Sequence, residues 1–196
     1  MENTHPQTNP IPDVIAGLPE QHELISTIPS TENLERLNAT IIPITVQQQE
    51  QTNWCWIACS VSIHNFYSPG SAVTQCQTAS FLLNLTCCVG PIIPAGCNVP
   101  GLPSTCLQAL RNLNKVKTIN SLTFPEIQTE IRAQRPLIVG YTNPGNQSGH
   151  AIVLCGFDNA GYVYIIDPTT GTAVVKFADF IFYYSKYFSE VSFTQR

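Results

Sequence analysis

Cysteine placement constrains this chain more than any other feature. Of eight cysteines, seven (Cys55, Cys59, Cys76, Cys87, Cys88, Cys97 and Cys106) fall in one stretch, and Cys155 stands far downstream. Within residues 86–103, adjacent cysteines, glycine and four prolines exclude a long helix or strand. Such a segment holds a shape only if it is cross-linked. Cys59, Cys76, Cys87, Cys88, Cys97 and Cys106 are the disulfide candidates. Zinc is the competing reading, but from Cys76 to Cys106 there is no Cys-x-x-Cys pair and no histidine. Cys87 and Cys88 are expected to take different partners, because a bridge between neighbours is strained. Cys155 lies in an apolar run and reads as a buried free thiol.

Around this knot, helical patterns come first and strand patterns second, which signals an α+β fold. Residues 54–67 read as a helix with Ile57, Val61 and Phe66 inward and Thr52 or Asn53 as N-cap. Helices are also expected at 73–85 and 104–113. Thr123-Phe-Pro-Glu126 is a capping box opening a helix to about Gln134. Strands are expected at 137–141, 150–157, 162–166, 172–177 and 187–193. Residues 1–42 differ: prolines recur at 6, 10, 12, 19 and 29, cysteine is absent, and only 30–37 suggests a helix. That stretch reads as a pro-segment or flexible tail, with one catalytic domain over 43–196.

The chemistry concentrates at Gln49-Glu-Gln-Thr-Asn-Trp54-Cys55-Trp56-Ile-Ala-Cys59. A cysteine opening a helix feels the positive end of the dipole, which favours the thiolate nucleophile. Gln49 could donate an amide N–H to a developing oxyanion, beside the Cys55 backbone N–H. Gln47, Gln48 and Gln51 are its rivals. Gly149-His150 begins one strand and Asp167-Pro168 ends the next, supplying a base and a group to orient it. Of the other histidines, His5 and His22 lie in the N-terminal stretch, and His64 is too far along the helix. Asn143 and Asn146 are alternatives to Asp167. Trp54 and Trp56 are expected to wall the cleft.

At these residues the chain resembles the papain-like cysteine peptidases, in particular the small bacterial branch with a Trp-Cys-Trp motif, related to bacteriocin-processing and effector peptidases. The resemblance spans about residues 43–185. It implies an N-terminal helical subdomain carrying the nucleophile helix, packed on a C-terminal antiparallel sheet. It assigns Cys55 as nucleophile, His150 as base, Asp167 as orienting residue and Gln49 as oxyanion donor. Asn53-Trp54 precedes the nucleophile where plant and lysosomal members carry Cys-Gly-Ser, and an aspartate replaces their usual asparagine. The Cys–His interval is also shorter, implying a pruned sheet domain and a more open cleft. The resemblance further suggests a bridge from Cys59 to Cys87 or Cys88.

Composition bounds the rest. Net charge is −4, and nine Lys and Arg are scattered, so nucleic acid and anionic membrane surfaces are not expected partners. No apolar run approaches the ~18 residues of a membrane span. No metal or cofactor is expected, and a monomer acting on protein or peptide is. Met1-Glu-Asn-Thr-His5 lacks the charged and apolar regions of a secretion signal. Disulfides nonetheless imply an extracytoplasmic location, by another route or after signal removal. Two other function classes fit the same residues: a different acyl-transfer enzyme (deamidase, transglutaminase or isopeptidase), or a non-catalytic disulfide-rich binding protein.

Overall fold

The computed structural model describes residues 38–90, 93–142 and 149–196. The expected helix at 30–37, the loop at 143–148 and the candidates Asn143 and Asn146 lie outside these residues. Helices are α1 (Cys55–Tyr67), α2 (Gln75–Leu83), α3 (Pro103–Ala109), α4 (Phe124–Arg132) and α5 (Phe177–Tyr184). Strands are β1 (Thr40–Ile41), β2 (Leu113–Thr118), β3 (Leu137–Thr142), β4 (Gly149–Phe157), β5 (Tyr162–Asp167), β6 (Gly171–Lys176) and β7 (Phe188–Thr194). They form one antiparallel sheet in the order β2-β7-β3-β4-β5-β6, with β1 on β4. The fold is α+β and papain-like.

β3 and β4 carry near-continuous apolar runs because both faces of the sheet are covered. On one face, Gly140 lies against Pro103 of α3, and a side chain there would sit about 3.0 Å from the proline ring. Glu190 of β7 caps the same helix, accepting from Ser104 N and Oγ at 3.0 Å each. Successive strand residues alternate faces, and Tyr141 meets Tyr184 of α5 on the other. Cys155 is a buried free thiol within β4.

Several local expectations hold. α4 begins at the Thr123–Glu126 capping box with Pro125 in its first turn. α2 starts two residues later than its pattern suggested, at a capping box between Thr74 and Gln77. Others are corrected. α3 ends at Ala109, and β2 follows where the helical pattern was extended to Leu113. α5 was missed because its apolar Phe-Ala-Asp-Phe-Ile-Phe-Tyr-Tyr run has no polar face to mark a helix. Thr40 and Ile41 pair with Phe157 and Gly156, and Ile42 is buried, so the sheet begins before residue 43.

The cysteine framework is smaller than expected. Cys76 bonds Cys88 and Cys87 bonds Cys97. Cys59 and Cys106, both disulfide candidates, are buried free thiols. Cys59 faces the sheet and donates to Ala151 O at 3.4 Å, while Cys106 shares a hydrogen bond with Ser60.

Candidate active site

β4 and β5 pair from Phe157–Val163 as far as Val153–Ile166 and no further. Beyond that point His150, Ala151 and Ile152 have β3 on one side and no strand on the other. α1 fills the gap, as the Cys59–Ala151 contact shows. The site forms where the ladder stops.

His150, the second residue of β4, donates from Nε2 to Asp167 Oδ2 at 2.7 Å. Its other ring nitrogen, Nδ1, is thereby left for Cys55, with which His150 shares a side-chain hydrogen bond. The first residue of α1, the start of β4 and the end of β5 thus meet. All three side chains are buried, at 7 % exposure for Cys55, 8 % for His150 and 6 % for Asp167.

Electrostatics follow from that contact. Burial alone would lower the His150 pKa. The hydrogen bonds to Asp167 and Cys55, and the charges of both, overcome it and raise the imidazole to about 9. Burial would raise the Asp167 carboxyl. The His150 bond and charge, with two backbone N–H groups, hold it below its ordinary value instead. Those donors are Thr169 N at 2.7 Å and Thr170 N at 3.3 Å, both to Oδ1. This turn fixes the carboxylate plane, and Asp-Pro-Thr-Thr was its signal in the sequence. Tyr141, paired with His150, stays neutral: burial first, then neighbouring negative charges, push its hydroxyl up.

Gln49 lies beside this turn. Its backbone N donates to Pro168 O at 3.0 Å, and its Oε1 accepts from Thr169 Oγ1 at 3.2 Å. Its Nε2 donates to Gln51 O at 2.9 Å and Thr52 O at 3.0 Å. The amide therefore links the segment before Cys55 to the Asp167 turn, with its donors engaged locally.

The tryptophans are not cleft walls. Trp54 is fully buried and donates from Nε1 to Cys97 O at 2.7 Å. Trp56 donates to Val99 O at 3.1 Å, and its ring covers Gly101 so closely that any side chain there would collide. Both anchor the 97–101 loop to α1. Asn53 and Thr52 do not cap the helix: Trp54 is the N-cap residue, without a side-chain bond, and Asn53 pairs with Asn98. His64 bonds Asn112 Oδ1 at 2.8 Å, away from Cys55. Among the described residues, no group of three or more His, Cys, Asp or Glu could hold a metal ion.

Burial pushes Cys106 and Cys155 up to about 12 and Cys59 well above its ordinary value, so they stay protonated.

A buried cysteine at a helix start, hydrogen-bonded to a histidine that is itself held by a carboxylate, on a helix-against-sheet fold, is the arrangement of a papain-like cysteine peptidase. The model of the papain-like cysteine protease AvrRpt2 family matches residues 36–184, and the chain belongs to that family. No curated protein matches it. Among solved structures, a protein described as a C39-like peptidase from Bacillus anthracis has 16% identity and a TM-score of 0.54, covering 81% of this chain and 98% of its own. A double glycine motif protease from an AMS/PCAT transporter, in complex with the leader peptide, has 18% identity and a TM-score of 0.46, covering 80% and 94%. The first shares the fold. The protein is thus a cysteine peptidase, acting on protein or peptide, and among its described residues no helix is long and apolar enough to cross a membrane.

Proposed function

We propose that Cys55, His150 and Asp167 form the catalytic triad of this peptidase, working through a thioester acyl-enzyme. The observation that carries this reading is the His150 ring, joined to Asp167 through Nε2 and to Cys55 on its other side. His150, hydrogen-bonded to both groups, is placed to take the Cys55 proton, and Asp167 supports the imidazolium that forms. The sulfur attacks the substrate carbonyl carbon. The oxyanion is held by the Cys55 N–H, with Gln49 turning one amide N–H away from Gln51 or Thr52 to join it. His150 gives its proton to the leaving amine as the C–N bond breaks. It then takes a proton from the water that hydrolyses the thioester. Asp167 keeps the ring in the plane this exchange requires.

Two further parts belong to the proposal. The bridges Cys76–Cys88 and Cys87–Cys97 support an extracytoplasmic site of action. Residues 1–42, proline-rich up to Pro29, serve as a pro-segment removed by self-cleavage.

The test compares wild type with Cys55→Ala by mass spectrometry, over time and against a protein mixture. Wild type is expected to shorten from its N-terminus and to release cut peptides, and the variant to do neither. Full activity in Cys55→Ala would end the triad assignment. Side chains modified without backbone cuts would move the protein to the deamidase or transglutaminase class. Identical N-termini over time would remove self-processing.

A further inference from the structure

Residues 47–54, which carry Gln49 and deliver Cys55, form neither helix nor strand. Two of the outside side chains that hold them are amides. Gln75, 1 % exposed, accepts from Glu50 N at 3.0 Å and donates to Gln48 O at 2.8 Å and Gln47 Oε1 at 3.3 Å. Asn98 accepts from Asn53 N at 3.0 Å and donates to Thr52 Oγ1 at 2.9 Å, while its carbonyl accepts from Asn53 Nδ2 at 2.9 Å. The Trp54 and Trp56 indoles grip the carbonyls on either side of it, Cys97 and Val99.

Each holder sits next to a half-cystine. Gln75 precedes Cys76, and Asn98 follows Cys97. Cys76 bonds Cys88, its neighbour Cys87 bonds Cys97, and one short covalent path therefore joins Gln75 to Asn98. We infer that Gln75 and Asn98 are positioning residues for the nucleophile, and that the two disulfides act as one clasp setting the distance between them. The inference rests on the reading of Cys55 as nucleophile. Neither residue touches reacting atoms.

A physical need explains the arrangement. A side-chain cap normally fixes how the chain enters a helix. α1 has none, so the entry of the chain has to be fixed by contacts from outside the helix. Asn98 and Gln75 fix that entry from the other side of the segment. An uncapped, unladdered segment that wandered by an ångström would cost about a hundredfold in rate.

The test is the rate of iodoacetamide labelling at each thiol of the full chain, read by peptide mass spectrometry. Wild type is expected to label Cys55 far ahead of Cys59, Cys106 and Cys155. Asn98→Ala, Gln75→Ala and Cys87→Ser/Cys97→Ser are each expected to slow Cys55 roughly tenfold while the three buried thiols stay protected. Asn98→Asp keeps the acceptor for Asn53 N and is expected to recover most of the rate. The buried thiols separate positioning from unfolding, since a molten chain would label all four. Wild-type Cys55 rates in every variant, with buried thiols protected, overturn the inference and leave the nucleophile standing. Slowing of Cys55 only together with exposure of the other three also overturns it, in favour of a general folding role. Absence of any Cys55 preference in wild type sinks the nucleophile reading, and this inference with it.

Discussion

His150 and Asp167 stand on strands whose backbone ladder places them, whereas Cys55 enters from a segment with no ladder at all. On the base side, β4 is locked by six paired residues to β3, and Asp167 ends a strand paired to β6. The carboxylate needs only its own turn to finish the job. On the nucleophile side, irregular chain is held by amide side chains, indoles and two bridges. Repetitive hydrogen bonding holds one side of the site, and cross-linked irregular chain holds the other. They differ in what breaks them. A sheet site fails with core packing, and a clasped loop fails with a few polar contacts.

The largest effect should come from within the base side. Asp167→Asn removes the charge holding the His150 ring. Peptide cleavage is expected to fall on the order of 10⁴-fold, by analogy with the aspartate of serine-protease triads. The alkaline limb of the pH profile should also move down from about 9, since the Asp167 hydrogen bond is the leading support of that value. The same shift is a stability statement. His150 is raised from 6.5 to about 9, so its contribution is complete below 6.5 and is lost as pH rises through about 9. Thermal melts of wild type and Asp167→Asn across that window should converge at the alkaline end.

A mid-sized effect should isolate the base side. A side chain on Gly156 would meet Ile41 Cγ1 at 2.9 Å and Thr40 O at 3.0 Å. Gly156→Ala is expected to cost roughly 1–3 kcal/mol in denaturant unfolding by overpacking, without changing Cys55 labelling relative to the buried thiols. A selective loss of Cys55 reactivity in that variant would mean the two sides are not held independently.

The smallest effect serves as a control on neither side. Thr123→Ala removes the capping hydroxyl of α4, and about 1 kcal/mol of stability should go with it. Cleavage rates should stay at wild-type level.

What the sequence carried, and what it withheld, follows the same division. The α4 capping box, the β4–β5 hairpin and the spacing from Gly149-His150 to Asp167-Pro168 are local signals, and the structure brings those residues together. Cys87 and Cys88 take different partners for the reason geometry gives. Cys59 and Cys106 looked like the bridging cysteines because spacing counts cysteines and cannot see which are covered; only docking of α1 on β4 and α3 hides them. Trp54 and Trp56 looked like cleft walls because a flanking aromatic carries no sign of where its indole N–H will go. Asn98 and Gln75 gave no signal, since an amide's role here depends on partners 45 and 25 residues away.

The vicinal pair has one more consequence. Exchanging partners, Cys76 to Cys87 and Cys88 to Cys97, would make each ring only one residue smaller than those observed, which span 12 and 10. Ring-closure entropy varies so slowly with length that it scarcely separates the two isomers. What separates them is inside from outside: Cys87 and Cys97 are wholly covered, whereas Cys88 is exposed and Cys76 partly so. The chain thus leaves its oxidative wiring to be chosen by tertiary burial, and an oxidant acting on the unfolded polymer meets two nearly equivalent knots.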